Sequence, residues 1–303
     1  MGVVNLDDER KNKSSGYITI SELYKRNFNK YTDDIIENQR IRNIVNEISQ
    51  ITNIDKMIGF VDKYKMLVNL KLDAESIIDN FIFSTVNIFS GFFILNNNYF
   101  QDKYSENHIG AVIHAPLFNN LFRQECYSMR LNDPLLANKE RRNHGNEERV
   151  KLALVPDIKL AYLRGNMEII VMEHQKQIIL DGLKKNKKDT TKITIMMHDL
   201  LTKISKDLES RELSDHIKNI NVFELDIEIY VMQLPAPELY IFNKIFEFSL
   251  PTNIHNFPEI SQALRYLIKF RVSLFNCLTL LLSRKNINNF KNSYAAYCGS
   301  ELL

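Results

Sequence analysis

Few side chains in this 303-residue sequence stand in patterns that could do chemistry. Arg211 and His216 form one such pair: an arginine can stabilise charge at a scissile phosphate while a histidine exchanges a proton with a ribose 2′-hydroxyl. Pro156-Asp157 with Lys159 is another. Its carboxylate and ammonium could combine with Glu147 or Glu148 to hold Mg²⁺ beside a phosphodiester. A Pro-Asp pair is also an ordinary helix start, because proline at the first helical position lacks only a donor that would go unpaired. Cys126 lies between Arg123 and Arg130, cations that favour a thiolate, but no histidine is placed by sequence as its base. A packed thiol is expected there, and Cys277 is expected in the core of an apolar helix.

Arg211-Glu212-Leu213-Ser214-Asp215-His216 resembles the R-x4–6-H pattern of HEPN-type ribonucleases, which are small helical RNA-cutting domains. The resemblance covers those residues alone and implies charge stabilisation by Arg211 and proton transfer by His216. Asp157 and Lys159 resemble the carboxylate-plus-lysine core of metal-dependent nucleases. That core also has an acid two before the lysine on a strand and a further carboxylate upstream.

The remaining motifs are absent. No GxxxxGK[ST] or GxGxxG cradles a phosphate, no HExxH binds zinc, and no GxSxG presents a nucleophile. Nine glycines leave little material for a nucleotide-binding loop. The 7 histidines are scattered singly, each reading as a surface or satisfied core group. No metal, no cofactor and no catalytic residue is therefore expected from the main reading. Three widely spaced cysteines make neither a disulfide framework nor a CxxC pair, which points to the cytoplasm or another reducing compartment.

Binding is more legible than catalysis. Lys and Arg total 39 against 37 acids, a formal net charge of +2, which excludes a strongly basic arm but not local patches. Arg141, Arg142, Arg149 and Lys151 gather in one stretch, and Lys184, Lys185, Lys187 and Lys188 in another. Tyr127 lies between Arg123 and Arg130, Tyr162 precedes Arg164, and Tyr266 adjoins Arg265. Cations that neutralise successive phosphates, with rings that stack bases, suit single-stranded RNA. The competing reading is that these charges only solubilise an Asn-rich surface.

The elements that would position these groups read mainly as helix. Thr32-Asp33-Asp34 signals a helix start, with Ile36, Ile44, Ile48 and Ile51 at near-helical spacing. A second helix is expected from Ile54 to about Leu70. A third, capped by Asp73, is expected through Ile88 and to end at Asn96-Asn97-Asn98. The apolar run from Ile77 to Leu95 has spanning length but carries Asp79, Asn80 and Asn87, so a buried core helix and no membrane are expected. A loop bearing His108, Gly110, His114 and Pro116 precedes a short helix from Leu117 to about Met129, and Asn132-Asp133-Pro134 opens another. Pro156-Asp157 starts a helix interrupted at Gly165, and apolar residues resume from Met167 to Ile179. The lysines at 184–188 form a solvated loop, with a helix capped by Thr190 or Thr191 after it. Residues 222–232 alternate apolar with acidic, a strand signal. Leu239, Phe242, Ile245 and Phe246 read as an amphipathic helix, and Asn256 and Pro258 open the strongest helix, running to about Ser283.

The expected fold is thus mainly α, two-lobed, with at most a small β element near 222–232. Its parts are a flexible N-terminal arm (1–16), an N-terminal helical lobe (17–138), a basic hinge (139–151), a C-terminal helical lobe (152–290) and a tail (291–303). This layout, rather than any motif, is similar to that of nucleocapsid proteins of negative-strand RNA viruses. There RNA lies between two helical lobes and an arm or tail docks on the next subunit. The wealth of Asn, Ile and Lys, all with A/T-rich codons, is compatible with such a source. The similarity implies a non-enzymatic, oligomerising, single-stranded RNA-binding protein that self-associates through its arm or tail. A helical scaffold that binds protein partners without nucleic acid is the alternative.

Overall fold

A computed structural model describes residues 2–5, 38–65, 74–95, 100, 106–122, 127–143, 153–162, 167–175, 182–207, 213–223, 225–236 and 239–284. Among these, helix outweighs strand. They fall into two compact units, each discontinuous in the chain.

The first unit is built on Gly2–Asn5, Cys126–Phe223 and Ile227–Glu247. Its strands are β1 (Gly2–Asn5), β2 (Tyr127–Leu131), β3 (Ile158–Tyr162), β4 (Met167–Gln175), β5 (Leu213–Phe223), β6 (Asp226–Ala236) and β7 (Leu239–Ser249). They form one sheet in the order β1-β7-β6-β5-β4-β3-β2. The β content therefore extends well beyond the one element expected at 222–232, which proves to hold the end of β5 and the start of β6. β2, β3 and β4 are antiparallel neighbours, and β4 and β5 are parallel. A parallel pair needs a crossover, and the helix Gly182–Asp207 supplies it. Gly2–Asn5, within the expected flexible arm, adds a parallel edge strand to β7.

Three helices expected from periodicity are strands. β3 replaces the helix after Pro156, β4 replaces the apolar run from Met167, and β7 replaces the helix at Leu239. A continuous apolar run such as Ile169 to Met172 looks the same in either state when both faces are covered, and all of these residues are buried. In β7 the buried set is Tyr240, Phe242, Phe246 and Phe248, an even-numbered face, and aromatic content favours the strand. The lysine loop at 184–188 is corrected the other way, since it lies inside the Gly182–Asp207 helix. Lysine is a good helix former, so the amphipathic stretch beyond Thr190 propagates back through it. The chain from 139 to 143, taken as the start of a hinge, is helical within Leu136–Asn143, and 144–152 lie outside the described residues.

The second unit holds α1 (Gln39–Ile48), α2 (Ile54–Lys65), α3 (Ala74–Leu95), α4 (Glu106–Ile109), α5 (Ala115–Leu121) and α8 (Ile260–Arg284). The first unit's helices are α6 (Leu136–Asn143) and α7 (Gly182–Asp207). The α1 start is set by Asn38, whose side chain accepts from the backbone N–H groups of Arg40 and Ile41 at 3.0 and 3.2 Å. The expected loop with His108, Gly110, His114 and Pro116 is helical: α4 runs through a π turn, Gly110–His114, into α5. That helix ends at Leu121, short of Met129, which belongs to β2. The expected long C-terminal helix is α8, entered through a 3-10 turn at Phe257–Glu259.

By length and composition Ser76–Leu95 could cross a membrane, yet Phe81, Val86, Phe89 and Phe93 along it are buried. Phe89 lies 6.0 to 6.4 Å, ring to ring, from Phe92, Phe93, Phe100 and Phe257. Arg271 is buried too, donating to the Leu121 carbonyl with its guanidinium 4.5 Å from the Phe275 ring.

Candidate functional site

The first unit places a set of charged groups inside its sheet-and-helix interior. Lys159, on β3, is 1% exposed. Its ammonium donates to the Pro134 carbonyl at 2.7 Å and meets Glu168 at 2.7 Å and Asp133 at 2.8 Å. Three protons find three acceptors, the condition under which a buried ammonium is tolerable. Glu168 also accepts from the backbone N–H groups of Leu136 and Ala137 at 2.9 and 3.1 Å. Its carboxylate therefore satisfies two unpaired donors at the α6 start, where negative charge is favoured. Lys159 holds the Asp133 carboxyl below the ordinary aspartate range through a direct hydrogen bond, with Arg130 adding to the effect.

Two backbone features make this possible. Asn132 adopts a left-handed conformation, φ 48°, which asparagine tolerates better than most residues, and turns the chain from β2 toward α6. β4 carries a bulge: Leu160 pairs with Ile170 but Ala161 pairs with Glu168. Because cross-strand partners share a face, Glu168 lies on the same side as Lys159 and Val171.

The β3–β4 register ends at Ile158↔Met172, with Asp157 preceding the one residue and Glu173 following the other. Glu173 is 4% exposed. The Lys192 ammonium, from α7, meets the Glu173 carboxylate at 2.7 Å and donates to the Val155 carbonyl at 2.8 Å. β4, α7 and the segment before β3 thus bring together one carboxylate, a carbonyl oxygen and a cation. Among the described residues no three His, Cys, Asp or Glu side chains converge as a metal cluster.

A third cluster joins α6 to α7. Asp199, with no exposed side-chain surface, accepts from Asn138 Nδ2 at 2.6 Å and pairs with Arg141 Nε at 2.5 Å. His198 Nδ1 lies 3.3 Å from the same carboxylate, and its ring is 4.2 Å from that of Tyr240. The Asn138 carbonyl oxygen accepts from the Leu154 backbone N–H at 2.8 Å, so the amide cannot turn freely.

The residues expected at an RNA site lie on several elements. Arg141 and Arg142 are on α6, and Lys184, Lys185, Lys187 and Lys188 are in the first turns of α7. Tyr127 and Tyr162 are register partners on β2 and β3. Tyr266 belongs to the second unit, where its hydroxyl accepts from Gln262. Arg149, Lys151, Arg211, Glu147 and Glu148 lie outside the described residues, and His216 is on strand β5. Sequence reasoning named Asp157 and Lys159 together and grouped Lys192 with the basic lysines at 184–188, but missed Glu173. It assigned Lys159 to phosphate chemistry, whereas the structure spends its ammonium on three protein acceptors. An acid ending the apolar run before His174, and another inside Met196-Met197-His198-Asp199-Leu200, were the available signals.

Compared with protein-family models, curated proteins and solved structures, the chain shows no significant match.

Proposed function

We propose that this protein acts on the phosphodiester backbone of nucleic acid, and that Asp157, Glu173 and Lys192 hydrolyse it with a divalent cation. The seat of the Lys192 ammonium, shared by the Glu173 carboxylate and the Val155 carbonyl, with Asp157 two positions along the chain from Val155, carries this reading. Oxygens that accept an ammonium also suit Mg²⁺ or Mn²⁺, hard cations that prefer carboxylate and carbonyl ligands. Such a cation would polarise the scissile phosphate and lower the pKa of a bound water. Glu173 and Asp157 would hold the cation in the seat that the Lys192 ammonium now fills, and the displaced ammonium would add positive charge toward the phosphate.

The second reading is the non-enzymatic, oligomerising single-stranded RNA-binding protein of nucleocapsid type. Arg141 favours it, because this arginine is 41% exposed while its Nε is fixed on a buried acid. Phosphate contact then needs no chemistry.

Incubating the full chain with labelled single-stranded and duplex RNA and DNA, in Mg²⁺, Mn²⁺ or EDTA, tests both. The hydrolytic reading expects cation-dependent cleavage that disappears in Glu173→Gln and Asp157→Asn. Retention of intact RNA under every condition supports the second reading and removes the first. Absence of both cleavage and binding overturns the assignment to nucleic acid.

A further inference from the structure

We infer that Arg141 is a pre-set phosphate anchor, held by the buried Asp199 so that its remaining guanidinium edge takes one phosphate of a nucleic-acid backbone. The inference rests on the nucleic-acid part of the proposed function and is independent of cleavage.

A guanidinium offers five N–H donors in a rigid plane. Asp199 engages the Nε side at 2.5 Å, and among the described residues Arg141 has no other partner. The terminal pair of nitrogens keeps the two-pronged geometry that matches a phosphate. Anchoring also removes a cost of binding, because a long flexible side chain otherwise loses its rotamer freedom when it closes on a ligand.

The support beneath is deeper than a surface pair requires. Asp199 and Asn138 are buried, at 2% and 0% exposure, and Asn138 is locked in turn by the Leu154 N–H. Arg271 offers a contrast within the same molecule. That arginine is enclosed, bonded to a carbonyl and stacked on Phe275, as suits a purely structural cation. Arg141 is equally fixed at one side and left open at the other.

The test measures affinity of the full chain for a fluorescent oligouridylate between about 50 and 200 mM salt. Arg141→Ala should weaken binding about tenfold and reduce the salt slope by about one. Arg141→Lys should recover the slope but only part of the affinity, because charge returns without the fork. Asp199→Asn separates anchoring from charge. It removes a negative group, so on charge alone RNA binding strengthens, whereas loss of the anchor weakens it. Circular dichroism checks that each variant folds, and Arg141→Lys decides the matter if Arg141→Ala does not. Unchanged binding in the Arg141 variants, or tighter binding in Asp199→Asn, overturns the anchor while leaving the nucleic-acid assignment intact. Failure of the unmodified chain to bind overturns both.

Discussion

The first unit buries Lys159, Glu168, Glu173 and Asp199 beside its aliphatic residues, whereas the second fills its interior with Phe81, Phe89, Phe93, Phe118, Phe257 and Phe270. Removing charges from water costs several kcal/mol per ion, and their attraction repays that only with full hydrogen bonding. The aromatic interior gains from area and ring contacts, with Arg271 as a buried ion held by a carbonyl and a ring. The second unit therefore has the composition of a stabilising body. The first spends stability on holding charged groups at fixed places, which the proposed phosphate-handling role would require.

The sharpest way to break this contrast is Lys159→Met. Leaving Glu168 buried without its cation should cost about 3–5 kcal/mol, read as faster hydrogen exchange along β3 and β4. Adding Glu168→Gln, which keeps an acceptor for the α6 start, should return at least half of that loss. If the single variant is neutral, the buried charges are not mutually dependent. Phe89→Ala in the second unit should cost about 3–4 kcal/mol by transfer and cavity effects, with exchange rising along α3.

A smaller effect separates the units by pH. The Asp133 carboxyl sits below its ordinary value of 3.8 because Lys159 bonds to it. Its contribution is thus complete above that value and is lost as pH falls through the lower, folded one. Acid titration should loosen β3 and the α6 start in that window, and Asp133→Asn should flatten the response. An unchanged acid limb in Asp133→Asn would show that Lys159 does not depend on this partner.

The second unit was the more legible in sequence, since α1, α2, α3 and α8 bury one face at helical spacing and announce themselves by period. β3 and β4 hid because their residues are buried on both sides, and a buried lysine in β3 erases alternation. The candidate site was visible only in fragments. Asp157 and Arg141 stood out locally, but Glu173, Lys192 and Asp199 gain meaning through distant partners, Lys192 and Glu173 at 19 positions and Asp199 and Asn138 at 61. No local pattern encodes such pairings, because sheet register and the α6–α7 contact create them.

The β4 bulge has a consequence in the parity of the strand. Glu168 and Glu173 are an odd number of positions apart, so a regular strand would send them to opposite faces. The extra residue between them shifts the phase by half a period, and both carboxylates come to serve the same side of the sheet. One inserted residue thereby links the charge that secures α6 to the charge that faces Lys192. Its removal or duplication would leave composition almost untouched while changing which acids can act together.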